Sequence, residues 1–214
     1  MIFDNPAVQA VFAEYEARIA AETQRTSQPD INGHEIRDEL LLPVGQDVGR
    51  LLHALVLAKR PRRVLELGTS YGYSTLILAD AARKVGAQIV TMENADYKQA
   101  HAREQIGKAG LSNVVDFRLG DALDLLAQDK GPWDFVLLDI WKELYVDCFE
   151  AFYPGLTEEA IVASDNMVFP LSAREDVRAL RSAMAQKGDM QHVLIPFGHG
   201  LELCVKWTRG NAKL

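Results

Sequence analysis

The sequence predicts an α/β fold: a seven-stranded, mostly parallel sheet with helices on both faces and an antiparallel C-terminal hairpin. Two observations carry this reading. From Arg63 onward, short apolar runs alternate with amphipathic stretches at helical spacing, the βαβα rhythm of a parallel sheet with right-handed crossovers. The chain then closes on Met190–Pro196, Gly198-His-Gly200 and Leu201–Thr208, two strand-like runs joined by a short Gly-bearing turn. Its 214 residues suffice for one domain with a sizeable buried core. Within it, residues 1–60 supply helices and a lid loop that cap a site, and residues 61–214 form the core.

Taken in order, Val8, Val11, Phe12, Tyr15 and Ile19 lie at helical spacing within the first 23 residues. Thr23 to Asp38 is polar, contains Pro29, Asn32 and Gly33, and reads as a loop long enough to be a lid or binding segment. Val44, Val48, Leu51, Leu52, Leu55 and Val56 mark a second amphipathic helix that ends before Pro61. Strands are expected at Val64–Leu67, Gln88–Met92, Val114–Arg118, Phe135–Leu138 and Ala160–Ser164. The helices between them are expected at Ser74–Val85, Tyr97–Ala109, Ala122–Gln128 and Lys142–Tyr153, with Ser172–Lys187 after the fifth strand.

Composition narrows the partners. A formal charge of −7 argues against a broad phosphate-binding face, so nucleic acid is disfavoured and a small molecule expected. No apolar stretch reaches the length of a membrane span, and the first residues do not read as a signal peptide. Cys148 and Cys204 sit in apolar or helical segments, as reduced thiols of a cytoplasmic protein do. The apolar N-terminal helix and the edge hairpin make a homodimer plausible.

Chemistry concentrates after two strands. Asp139-Ile-Trp-Lys142 follows one buried run and Asp165-Asn166 the next, so both signatures fall at carboxyl ends of strands, where open α/β sheets bind ligands. Two aspartates and an asparagine amide form an all-oxygen set suited to Mg²⁺ or another hard divalent cation. Lys142 is a candidate base beside it. Taken singly, Asp139 reads as a helix N-cap, Asn166 as a turn residue and Lys142 as a solvated lysine; together they favour the metal reading.

A second motif, Val64-Leu-Glu66-Leu-Gly68-Thr-Ser70-Tyr-Gly72-Tyr73-Ser74, is strand, glycine turn and helix start. Glu93 ends the following strand, where a carboxylate can hold both hydroxyls of a ribose. Ser70 and Tyr73 stand where a dinucleotide fingerprint needs glycines, so the loop suits a nucleoside without a pyrophosphate. Glu66 adds negative charge fitted to an ammonium or sulfonium group.

With these motifs in order, the sequence resembles class I S-adenosylmethionine-dependent methyltransferases, and among them the catechol and caffeoyl-CoA O-methyltransferase group. Leu-Glu-Leu-Gly-x-x-x-Gly-Tyr-Ser, Thr-Met-Glu, Leu-Asp-x-Trp-Lys-x-x-Tyr and Asp-Asn-x-x-x-Pro recur in sequence between Leu42 and Trp207. The resemblance implies a Rossmann-like methyltransferase fold, S-adenosylmethionine as cofactor, and Mg²⁺ on Asp139, Asp165 and Asn166. It implies Lys142 as general base, Glu93 on the ribose, and Gly68–Ser74 with Glu66 around the methionine half. Val44 would approach the methionine end, Asp121 and Ala122 would border the adenine, and Asp139 would adjoin the cofactor. Trp141 and Pro170 match residues flanking an aromatic acceptor, with Lys142 and Asn166 also facing it. A second gatekeeping tryptophan is Leu40 here, and Val193 lies near the place of a late glutamate that touches the second catechol hydroxyl. The implied reaction is methyl transfer to a hydroxyl of a small aromatic. Alternatives are a tRNA hydroxyuridine-type methyltransferase, which calls for a basic patch, and a non-catalytic binder of the same nucleoside. His34, in the lid loop, and His199, in the hairpin turn, lie where either can approach substrate.

Overall fold

The computed structural model describes residues 3–28, 31 and 35–207; His34, part of the presumed lid loop and Thr208 lie outside them. Seven strands form one sheet in the order β3-β2-β1-β4-β5-β7-β6. They are β1 (Arg63–Leu67), β2 (Gln88–Glu93), β3 (Val115–Leu119), β4 (Trp133–Leu138), β5 (Leu156–Ser164), β6 (Met190–Ile195) and β7 (Leu201–Lys206). β1 to β5 are mutually parallel, and β7 runs antiparallel between β5 and β6. The hairpin is therefore joined to the sheet through its second strand, which leaves β6 as the edge.

Alternation along the strands sorts two cores. Val64, Ile89, Phe135, Leu137, Ile161 and Ala163 face α1 (Pro6–Thr26), α2 (Gln46–Lys59), α3 (Tyr73–Val85) and α4 (Asp96–Lys108). Leu65, Leu67, Val90, Val136, Leu138 and Val162 face α5 (Ala122–Gln128), α6 (Tyr145–Phe152) and α7 (Arg174–Gln186). Both faces are covered, which is why the strands read as continuous apolar runs. Each fully buried Leu, Val or Phe contributes about 1.5–3 kcal/mol by burial.

α1 begins where Pro6 follows Asn5, whose side chain accepts from the Ala7 N–H at 2.9 Å. It buries Val8, Val11 and Tyr15 against the chain's own core, so its apolar face is already covered. β5 starts four residues earlier than expected: Leu156 already pairs with Trp133, and an irregularity with exposed Glu158 and Glu159 separates it from the regular ladder at Ile161. The helix expected over Lys142–Tyr153 is divided into a 3₁₀ turn, Lys142–Leu144, followed by α6. A 3₁₀ turn eclipses side chains three apart, which brings Lys142 onto Tyr145.

Candidate active site

Backbone ladders that run one residue past the strands assemble the site. The Asp139 N–H donates to Leu67 O at 2.9 Å, the Asp165 N–H to Leu138 O at 3.1 Å, and the Gly68 N–H to Met92 O at 3.0 Å. The glycine loop, Asp139 and Asp165 thus stand side by side at the carboxyl ends of β1, β4 and β5. Gly68 (φ +99°) lies so close to β4 that a Cβ there would sit 2.0 Å from the Asp139 carbonyl oxygen. Gly72 (φ +92°) gives way to Ala102 and the Tyr15 hydroxyl. Both glycines allow protein to approach protein, rather than only protein to approach ligand.

A cavity of about 310 Å³ opens beside this loop. Gly68, Ser70, Glu93, Asp121, Ala122, Asp139, Trp141 and Lys142 line it, eight of the positions expected from sequence. Glu93 accepts from the N–H groups of Ser70 at 2.8 Å, Asn94 at 2.9 Å and Ala95 at 3.0 Å, which fixes its carboxylate at the cavity wall. Asp121 caps α5, with Oδ1 accepting from Leu123 at 2.9 Å and Asp124 at 3.2 Å.

Other expected residues lie elsewhere. Tyr73 is buried, its ring against Phe12 and Tyr15 and its hydroxyl donating to Glu16 at 2.9 Å, because the first turn of α3 points it at α1. Val44 is buried in the core below α2, and Leu40 is not among the cavity-lining residues; Leu42 (φ +46°) lines it from the same segment. Pro170 lines a second cleft. Glu66 is fully buried and accepts from Ser74 (2.7 Å), Thr75 (2.6 Å) and Thr91 (2.6 Å). Burial pushes its carboxyl up to about 7, with the three hydroxyls pulling the other way. Arg37, Asp38, Tyr97 and Lys98 also line the cavity. Arg37 stacks its guanidinium over the Trp141 ring at 4.6 Å. The sequence signal for Tyr97 and Lys98 was their place in the first turn after Glu93; Arg37 had none.

At the far wall, Lys142 Nζ donates to Ile140 O at 2.8 Å and to the Tyr145 hydroxyl, and lies 3.5 Å from Asp139 Oδ1. Tyr145 in turn donates to Asp165 O at 2.7 Å. Burial lowers the Lys142 pKa against the opposing pull of Asp139 and Asp165. Burial, and then the Asp139 charge, raise that of Asp165. Asp165 is 2% exposed, and its Oδ1 has no partner among the described residues. Asn166 adopts φ +56°, tolerated by asparagine, and its amide lies 3.3 Å from Asp165 Oδ2 and 3.5 Å from His199 Nδ1. Among the described residues no three His, Cys, Asp or Glu side chains are grouped so as to hold a metal ion between them. The oxygen set here is two carboxylates and an amide. Asp139, 3.5 Å from the Lys142 ammonium, and Asp165, with a buried oxygen unpartnered, are a pair whose chemistry suits a hard divalent cation.

Residues 34–207 match the family model described as O-methyltransferase. The chain belongs to the O-methyltransferase family. A catechol O-methyltransferase from Niastella koreensis is 31% identical over 59% of this chain and 59% of its own length. The mouse (Mus musculus) catechol O-methyltransferase is 31% identical over 72% of this chain and 64% of its own. The chain thus spans under two thirds of either relative. Among solved structures, the O-methyltransferase TomG from Streptomyces achromogenes, in complex with SAM, aligns with a TM-score of 0.73 at 25% identity. That alignment covers 91% of this chain and 99% of TomG. The seven-stranded, mostly parallel sheet of this family member, with its antiparallel C-terminal hairpin, accords with the fold expected from its sequence. None of its described helices is long and apolar enough to cross a membrane.

Proposed function

We propose that this O-methyltransferase family member moves a methyl group from S-adenosylmethionine to a hydroxyl of a small catechol-like aromatic, with a divalent cation on Asp139, Asp165 and Asn166. The observation that carries the reading is Asp165. Its buried, unpartnered oxygen lies on the strand next to that of Asp139; Asp139 lines the cavity bordered by the glycine loop and Glu93, whereas Asp165 and Asn166 are not among its lining residues. The names of the mouse and Niastella relatives support the acceptor class, and the TomG complex supports the cofactor.

Gly68, Ser70 and Glu93 would hold the nucleoside and methionine portions, and Asp121 and Ala122 the adenine. The cofactor supplies a methyl group on a positive sulfur. An ion held by Asp139, Asp165 and Asn166 would supply Lewis-acid polarisation of an acceptor hydroxyl. Lys142 then takes the hydroxyl proton at Nζ, helped by the burial that lowers its pKa. Tyr145 and the Ile140 carbonyl hold that nitrogen in place. Trp141 borders the acceptor ring once Arg37 moves aside.

The test is transfer of labelled methyl from S-adenosylmethionine to a catechol panel, with EDTA and with Mg²⁺ restored. Activity lost to the chelator and recovered on adding Mg²⁺ is expected. Chelator-insensitive transfer would remove the metal from the scheme, and tight cofactor binding with no transfer to any acceptor would leave a non-catalytic binder.

A further inference from the structure

Asn166, the proposed third ligand of the divalent cation, can bind it through only one of its two side-chain atoms. The amide oxygen carries lone pairs, whereas the amide nitrogen carries two hydrogens and only donates. The last torsion of an asparagine is broad and roughly two-fold, so nothing within the side chain decides which atom faces the cation. Here the nitrogen is committed. It lies 3.3 Å from Asp165 Oδ2 and 3.5 Å from His199 Nδ1. With the imidazole proton on Nε2, each hydrogen of the amide has its own acceptor. Turned over by 180°, the amide would set its oxygen against the same two acceptors and lose both bonds.

The contact with His199 is exposed and long for a hydrogen bond, so its influence depends on how firmly the imidazole is held. His199 stands 33 residues further along the chain, in the turn between β6 and β7. Its carbonyl accepts from the N–H groups of Val168 at 2.8 Å and Phe169 at 3.1 Å, and Gly200 O accepts from Met167 at 2.9 Å. The Phe169 ring packs on the imidazole, with centroids 5.6 Å apart and planes 36° from parallel. Gly200 (φ +89°) leaves no room for a Cβ, which would sit 2.5 Å from Val168 Cγ2. The three residues after Asn166 and the hairpin turn are therefore docked as one piece. The imidazole is held from its backbone and from its face.

We propose that His199 is a positioning residue for the cation site: it holds the Asn166 amide nitrogen, so that the amide oxygen is the atom offered to the ion. A partner of this kind behind a metal ligand is worth roughly ten- to a hundredfold in metal affinity, and a long, exposed bond belongs at the lower end. The proposal rests on reading Asp139, Asp165 and Asn166 as the cation site.

The test is calorimetric Mg²⁺ affinity of the full chain with S-adenosylhomocysteine present. His199→Phe keeps a ring against Phe169 and the backbone bonds but removes the acceptor nitrogen, and His199→Asn returns an acceptor at about the place of Nδ1. At equal Tm, His199→Phe should weaken Mg²⁺ binding about tenfold, and His199→Asn should recover most of that loss. In an Asn166→Asp background the two side-chain oxygens are equivalent, so the same His199→Phe change should leave the affinity unaltered. Wild-type affinity in His199→Phe, or an equal loss in the Asn166→Asp background, overturns the proposal. So does a nitrogen coupling to bound Mn²⁺ in spin-echo spectra that His199→Phe removes, because His199 would then be a ligand itself. A wild type that binds no Mg²⁺ refutes the cation site by itself. The Asn166 side-chain amide protons of the ion-free protein then decide the orientation by NMR. One should lie downfield in the wild type and in His199→Asn and move upfield in His199→Phe; shifts indifferent to the substitution overturn the proposal.

Discussion

Gly68→Ala separates the site's architecture from ordinary backbone strain. A Cβ at position 68 would lie 2.0 Å from the Asp139 carbonyl oxygen and 2.9 Å from its carbon, whereas ordinary contact begins at 3.4 Å. Both partners are backbone, so no side chain can swing away, and the ends of β1 and β4 must part by more than an ångström. That displacement moves the glycine loop away from Asp139, the two halves that alignment of donor and acceptor requires. A misplacement of about 1 Å can cost on the order of a hundredfold in rate. Gly86 supplies the control. It also has positive φ, +75°, but a Cβ there meets nothing within 4 Å, so Gly86→Ala pays only conformational strain of about 1–3 kcal/mol. Methyl-transfer kcat/KM and thermal melting are measured for both variants, alongside calorimetric binding of S-adenosylhomocysteine. Gly68→Ala should lose about a hundredfold in kcat/KM beyond any loss in Gly86→Ala, with weakened cofactor binding. Equal activity in the two variants would refute the claim that contact between loop and Asp139 sets the geometry.

Other expectations follow from individual contacts. Asp139→Ala should abolish transfer more completely than Lys142→Ala, because general-base help is worth roughly a hundred- to ten-thousand-fold while alignment can be worth about 7–11 kcal/mol; equal losses with metal affinity intact, read by metal titration, would count against this order. Glu66 keeps its proton to about pH 7 in the fold but only to about 4.5 in the open chain, so the folded state binds more protons between these values and stability falls as pH rises through them, by at most about 3 kcal/mol. Glu66→Gln should flatten that part of the Tm–pH curve measured from pH 4.5 to 8, and an unchanged slope would show that Glu66 ionises normally. Tyr15→Phe removes a hydroxyl that donates to Tyr71 O at 2.6 Å in the core and should lower stability by about 1–3 kcal/mol, read from the urea midpoint.

Much of this was legible in the sequence, for a local reason. Strand, glycine turn and helix start are neighbours in the chain, and a carboxylate ending a strand stays at that strand's end however the sheet is assembled. Hence Gly68, Ser70, Glu93, Asp139 and Lys142 reach one cavity. What was not legible depends on packing between distant segments. Tyr73 and Ser74 are adjacent, yet helical phase sends one to Glu16 on α1 and the other to Glu66 on β1. Val44 was the apolar residue expected near the cofactor, but Leu42 takes the wall while Val44 fills the core, a choice made by the turn at Leu42 and Gly45. Arg37 reaches Trp141 only because α1 anchors its segment, through Arg18 on Glu39 O at 2.8 Å and the Leu41 N–H on Glu22 at 2.8 Å.

Five carboxylates converge on this end of the sheet, and the manner in which each is satisfied indicates where an outside cation is needed. Glu66 has three hydroxyl donors, Glu93 three backbone N–H groups, and Asp121 the first turn of α5. Asp139 has Lys142 at the limit of contact. Among the described residues Asp165 has only Asn166, through its side-chain amide and its backbone N–H, and no partner on Oδ1, although it is almost fully buried. A buried carboxylate left in this condition must either keep a proton or gain a positive partner. The chain's nearest cation, Lys142, is already turned toward Ile140 and Tyr145, and donates its protons there. The unmet charge on Asp165 therefore supports the proposed divalent ion on Asp139, Asp165 and Asn166, an ion that would also favour the ionised form of Asp165.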